Sequence, residues 1–259
     1  MVPPPQRTSP RTSLSGPALV RLLARLGEAE VQASPQPLAD RLSQWLGWTD
    51  AIALSTVLAA PAPAMAGGAR TSGEDEAQRC LSLRSTLSKA IALDGVLAPA
   101  KARHGRAYGH AGASQAPQSD EADTDYAVFR QCYVVLQQKM ETDIGDLRGR
   151  LRSRLAAVSP AMAKLATLDA TMERSLAVRE RSLLGTIPGL LGAHFERLRK
   201  AAREAAAHEA AANEAPAAAD DAPSAWLDAF RKDVQSVLLA ELDVRFQPVE
   251  GLLAALRAH

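Results

Sequence analysis

The most regular feature of the chain is a series of large apolar side chains that begins at Tyr126 and continues through Phe129, Tyr133, Leu136, Met140, Ile144, Leu147, Leu151 and Leu155. The steps alternate between three and four residues and average about 3.6, so every position falls on one face of a single α-helix about 50 Å long. A strict heptad repeat would average about 3.5 and wind the helix into a left-handed supercoil, whereas this spacing predicts a straight helix in an ordinary core. The acidic run SDEADTD precedes the stripe and the basic run RGRLRSR ends it. Each charge sign suits the helix end at which it stands.

The same reading finds shorter helices on either side. Leu19, Leu22, Leu23 and Leu26 share a face between a start signal at Ser15 and Pro17 and a stop at Gly27. Ser34, Pro35 and Pro37 open a second helix with Leu38, Leu42, Trp45 and Leu46, which Gly47 ends, and Thr49 is placed to cap a third with Ile52, Leu54 and Val57. Beyond the linker-like stretch APAPAMAGGARTSG, a fourth helix starts at Glu74 with Leu81, Leu87 and Ile91 on its core face and closes at Gly95. After the long stripe, Ser159 and Pro160 restart the chain, with Met162, Leu165, Leu168, Met172, Leu176 and Leu183 as the apolar face and Gly185 as the stop. A helix from Pro188 carries Leu190, Leu191, Phe195 and Leu198 and fades into an Ala-rich tract that is expected to melt before Pro216. Phe230, Val234, Val237 and Leu238 mark another helix, and Pro248 is expected to open a last one with Val249, Leu252, Leu253 and Leu256.

No segment alternates apolar and polar residues as a strand requires, so the fold class is all-α, a multi-helix bundle with long antiparallel helices. The expected organisation is a disordered tail over 1–13, a small three-helix unit over 14–59, a linker over 60–73, a helix over 74–95 and a flexible linker over 96–121. A long-helix bundle over 122–203 follows, then an Ala-rich helical extension and linker over 204–223, and C-terminal helices over 224–259 that pack on the bundle.

Composition changes this picture little. The chain has 259 residues, 47% of them hydrophobic, which is enough for a core without staples. A net charge of +1 gives no whole-chain attraction to nucleic acid or anionic lipid. Cys80 and Cys132 form no metal-binding spacing and read as reduced thiols on helices. Residues 51–69 carry no charge over a length that could cross a bilayer, but Pro61, Pro63, Gly67 and Gly68 would leave backbone groups unpaired in hydrocarbon. The reading is a cytoplasmic protein without a transmembrane segment.

Candidate chemistry is sparse. The loop HGRAYGH offers His104, Tyr108 and His110, but two imidazoles in a Gly-rich loop fall short of the three or four ordered ligands of a metal site. His194 stands beside Glu196 on a helix with no nucleophile at a local spacing. Phosphate-binding glycine motifs are missing, and GTIPGLLG reads as a helix break. No catalytic, cofactor or metal residue is therefore assigned. Two basic clusters remain, Arg148, Arg150, Arg152 and Arg154, then Arg197, Arg199, Lys200 and Arg203. They support an alternative reading as a nucleic-acid binder, although the i, i+2 steps spread the first set around its helix. The three-helix unit over 14–59 also resembles a helix-turn-helix in length, with Gly47, Trp48 and Thr49 at the turn, yet DAIALSTVLA presents only Asp50, Ser55 and Thr56 to a base edge. Trp45 and Trp48 read most simply as core aromatics, and otherwise as anchors for a partner.

The run RLSQWLGWTDAIALS, preceded by SLSGPALVRLLARL, and the segment YAVFRQCYVVLQQKMETDIGDLRGRLR resemble a bacterial family described only as a domain of unknown function, DUF3348. The resemblance extends over most of the chain. It carries over no activity and no site residue. It does imply a context, since such proteins are encoded beside a MotA-like inner-membrane protein and an OmpA/MotB-like peptidoglycan-binding protein. The expected function is thus an interaction or scaffold protein without catalysis or cofactor, a cytoplasmic accessory of a MotA/OmpA-like membrane complex, acting through a protein partner or self-association.

Overall fold

In the structure, a computed structural model that describes residues 17–28, 38–61, 73–98, 125–212 and 222–258, every regular element among the described residues is an α-helix. The helices are α1 (Ala18–Gly27), α2 (Leu38–Trp45), α3 (Trp48–Ala59), α4 (Gly73–Ala92), α5 (Tyr126–Ala156), α6 (Pro160–Leu184), α7 (Ile187–Ala212) and α8 (Ala222–Arg257). The predicted tail, most of both predicted linkers and the stretch around Pro216 lie outside the described residues.

Helix α5 is the predicted long helix. Asp125 caps it by accepting a hydrogen bond from the N–H of Ala127 at 2.9 Å. From Phe129 to Leu155 every position of the predicted stripe is buried, and Tyr126 at its head is half-buried. The stripe packs chiefly against α8, with Phe129 meeting Phe230 and Tyr133 meeting Glu241. Contacts that ascend in both helices mean that α5 and α8 run in the same direction. Helix α6 returns antiparallel to α5 after a short turn, as the pairing of Arg148 and Arg152 with Asp169 and Glu173 shows. Ser159 caps α6 through the N–H of Met162, with Pro160 in its first turn, as the sequence predicts.

Helix α8 departs from the expectation of a break at Pro248, because it is continuous through that residue. Proline removes the hydrogen bond that the Val244 carbonyl would accept, at a cost of about 3 kcal/mol in a helix interior. Phe246, Val249 and Leu252 flank it at helical spacing and are all buried. At about 1.5–3 kcal/mol for each such side chain, keeping the helix intact outweighs the loss.

Two predicted faces are rotated. In α4 the inward positions are Ala77, Cys80, Leu87 and Ile91, while Leu81 is 62% exposed. The stripe steps by three and four only if Arg84 occupies its middle. Arg84 meets that demand by lying over the Phe246 ring and reaching Asp243 at 2.5 Å and Glu250 at 2.6 Å. In α6 the fully buried positions are Ala163, Ala166, Thr171 and Leu184, and the predicted Leu183 is half exposed. The positions that face inward are thus mostly small, and the larger apolar side chains of α6 lie toward its flanks. In α7, Leu191 and Phe195 are buried as predicted, but Leu190 is exposed. The motif GTIPGLLG breaks the chain only at Gly185 and Thr186. Gly192 lies inside α7, where an added Cβ would stand 2.8 Å from the Tyr126 ring.

The first helices are held by different parts of the bundle. Helix α1 packs on α7 and α8 through Leu19, Ala24 and Leu26, whereas α3 packs on α6. Helix α3 begins at Trp48, and its first turn is closed by the Asp50 carboxylate accepting from the Gly47 N–H at 3.0 Å, so Thr49 is not its cap. The helical part of residues 74–95 ends at Ala92, and the start of the predicted linker is a packed turn. Leu97 is completely buried there, and Asp94 accepts from the N–H groups of Val96 and Leu97.

Candidate functional site

The predicted basic residues do not converge on one patch. Arg148 and Arg152, one helical turn apart, face α6, where Arg148 forms a two-pronged bond with Asp169 at 2.9 and 2.6 Å and Arg152 reaches Glu173 at 2.5 Å. Arg150 and Arg154 lie on the opposite flank over Glu76 of α4, at 3.5 and 3.3 Å. Glu76 is itself buried, and these two arginines supply the positive charge that it needs there. On α7, Arg197 donates to the Leu26 carbonyl at the end of α1 and pairs with Glu28 at 3.4 Å. Arg199 pairs with Glu196 and Lys200 with Glu204 within the same helix, while Arg203 is exposed. The acidic partners were the missing sequence signal. Asp169 and Glu173 repeat the four-residue spacing of Arg148 and Arg152 in the next helix, so the match can be read once the two are taken as antiparallel.

Of the candidate histidines, His104 and His110 lie outside the described residues, as does Tyr108. His194 is buried and shares a hydrogen bond of 2.9 Å with Asp233 on α8. Asp233 also takes Arg25 of α1, at 3.4 Å, so the imidazole belongs to a polar tie among three helices. Among the described residues no group of three or more His, Cys, Asp or Glu side chains is placed to hold a metal ion.

A second polar tie lies in the core between α5 and α8. Glu241 is completely buried and accepts from the Tyr133 hydroxyl at 2.6 Å, the Gln137 amide at 3.0 Å and Arg245 at 2.8 Å. Burial first, and then the neighbouring Glu241 charge, push the Tyr133 phenol far above its ordinary value, so it remains a donor. Cys80 and Cys132 are free thiols on α4 and α5. Burial and a hydrogen bond to Asp94 at 3.2 Å push the Cys132 thiol up to about 12, which keeps it protonated and inert at neutral pH.

What the molecule presents outward is different in character. Helix α3 has no buried residue. Trp48 is 81% exposed, and Ile52 and Leu58 are also exposed, while Leu54 and Val57 are half-buried on the side toward α6. Lys164 of α6 holds the end of α3 by donating to the carbonyls of Leu58 at 2.6 Å and Ala60 at 3.1 Å. Trp48 is therefore no core aromatic. Trp45 is half-buried, with the Arg179 guanidinium 5.2 Å from its ring centre.

Trp45 stands at a groove of about 720 Å³ bounded by α5, α6 and α8. Its apolar wall comes from Ile144, Leu176, Ala177, Leu183, Leu184 and Val244, and Pro248 adjoins them. The rotation of α6 has a consequence here, because it turns Leu176 and Leu183 into this wall. Charged residues line the rest, including Arg148, Arg245, Glu173 and Glu180, which are bound to one another or to Asp169 and Glu241. Sequence reasoning missed the groove, since its residues come from four helices and share no local spacing.

Among the described residues no helix is long and apolar enough to cross a membrane. No curated protein and no solved structure matches the chain. A family model does match, over residues 6–258, in agreement with the resemblance carried by the Trp/Leu-rich runs. The chain belongs to the protein family of unknown function DUF3348.

Proposed function

We propose that the protein is a helical interaction protein, without chemistry of its own, that binds a protein partner through the outer face of α3. The observation that carries this reading is the exposure of Trp48, Ile52 and Leu58 on a helix that buries none of its residues. Large apolar side chains grouped at a surface cost free energy in water, which is recovered when a partner covers them, and tryptophan is among the commonest anchors of such contacts. The paired state of six of the seven arginines in the two basic clusters supports it over the nucleic-acid reading, because a guanidinium bound to a carboxylate releases few counterions on meeting a phosphate. The neighbourhood implied by the family resemblance makes a MotA/OmpA-like membrane complex the partner to try first, with this chain as a cytoplasmic accessory.

The test is affinity recovery of the full chain from its host under nuclease treatment, followed by reconstitution with the recovered protein in purified form. The reading expects a complex by light scattering, or self-association, that is lost in the Trp48→Ser, Ile52→Ser double variant. A monomer that recovers no partner, or a complex indifferent to both substitutions, overturns it.

A further inference from the structure

The groove between α5, α6 and α8 has the size of a small-molecule site, within the range of about 300–1,000 Å³ that such sites occupy. Its apolar wall is aliphatic. Leucines, isoleucine, valine and alanine offer no hydrogen bonds, so what they fit is a hydrocarbon chain and not a heterocycle that must be read by polar groups.

The charges around it are unequal in what they have left to give. Glu173 is held by Arg152 at 2.5 Å and Arg148 at 3.3 Å, and Glu180 by Arg245 at 3.3 Å. Arg245 is further neutralised by the buried Glu241 at 2.8 Å. Among the described residues, two guanidiniums at the mouth keep charge to offer. Arg181 donates to the Ala177 carbonyl at 3.3 Å and meets Glu141 only at 3.9 Å, and Arg179, exposed, lies against the Trp45 ring. Among these residues one carboxylate at long range faces two arginines, which leaves the mouth positive over an apolar interior. The planar guanidinium fork matches a carboxylate with two parallel hydrogen bonds, and an indole beneath it holds the fork in place.

We propose that this groove binds a free single-chain amphiphilic carboxylate, its alkyl chain along Leu176 and Leu183 and its head group on Arg179. The site is separate from the α3 face, so the two readings stand or fall independently.

The experiment uses the full chain and follows binding by calorimetry and by tryptophan fluorescence. The probes are decanoate, decan-1-ol and decyltrimethylammonium, each below its micelle-forming concentration. Decanoate is expected to bind saturably and at least about tenfold more tightly than either of the others, the ratio expected of one charge-assisted contact. Arg179→Ala, at an exposed position where folding is not at stake, lowers decanoate affinity by about tenfold and leaves decan-1-ol unchanged. Ala177→Trp fills the groove and abolishes binding of all three, with circular dichroism to show that the helices persist. Trp45→Phe removes the fluorescence response while calorimetric binding continues. Equal affinity for the three probes, no saturable binding of decanoate, or decanoate binding that survives both Arg179→Ala and Ala177→Trp overturns the proposal. Binding to anionic vesicles without binding of free decanoate overturns it as well.

Discussion

Helices α5 and α3 are both rich in large apolar residues, yet α5 buries a continuous row of them and α3 buries none. Spacing makes the difference. In α5 the apolar positions recur at the helical period and form one stripe that another helix can cover. In α3, Trp48, Ile52, Leu54, Val57 and Leu58 are distributed around the axis, so packing on α6 takes Leu54 and Val57 and leaves the others outside. Apolar content alone thus does not locate a core; its angular distribution does. The same contrast separates a part of the molecule that holds the fold from a part that is available to a partner.

The contrast is broken most directly by truncating side chains in the two regions. Phe230 is completely buried in a cluster with Phe129, Phe195 and Tyr126, with ring centres 5.0 to 6.3 Å apart. Phe230→Ala is expected to cost about 3–5 kcal/mol in urea denaturation. Nearly as large, about 3 kcal/mol, is the loss expected from Glu241→Met, which leaves the buried Arg245 with the exposed Glu180 as its remaining carboxylate and the Tyr133 hydroxyl without its acceptor. The double variant Glu241→Met, Arg245→Met recovers most of that loss if the pair serves register and not net stability. A double variant as unstable as the single one shows that the hydrogen bonds Glu241 accepts from Tyr133 and Gln137, and not its charge pair, tie α8 to α5.

Alkaline pH gives a smaller and graded effect on the same region. Cys132 and Tyr126 are each pushed up to about 12, chiefly by burial, and Tyr133 beyond that. Their ordinary values are 9.0 for the thiol and 10.0 for the phenols, so above pH 9 the unfolded chain gives up protons that the folded chain retains. Stability then falls as pH rises through this window, and below about pH 8 these groups impose almost no slope. Tyr133→Phe is expected to flatten the fall, measured as the urea midpoint against pH. The smallest effect belongs to α3. Trp48→Ser should change stability by no more than about 0.5 kcal/mol, because the side chain has little burial to lose. A larger cost would mean that α3 is part of the core after all.

How far the sequence could be read follows the same division. Period and punctuation identify the helices, and for α5 they identify the buried residues one by one. They do less well where the neighbour decides. The inward face of α4 includes Arg84 because α8 supplies Asp243 and Glu250 as its partners. The inward face of α6 is Ala163, Ala166, Thr171 and Leu184, a set the apolar spacing of the segment does not pick out. Pro248 looks like a helix start in isolation and is tolerated inside α8 because the residues around it are buried. Of the candidate site, Trp48 was visible as a residue but not as an exposed one. The groove was not visible at all, since four helices must be placed before it exists.

Helix α8 lies against α1, α4, α5 and α7, and it is the last of the described helices in chain order. The pairing of α5 with α6 is local and can form as soon as both are made, whereas the contacts of α1 and α4 with α8 span well over a hundred residues. Such long-range closure is slow, and during synthesis it cannot begin before α8 leaves the ribosome. At roughly 5–20 residues per second, the 36 residues of α8 take a few seconds to make. Throughout that interval the nascent chain carries the uncovered rings of Phe129 and Phe195. The order of the helices therefore leaves these rings uncovered until α8 has been made.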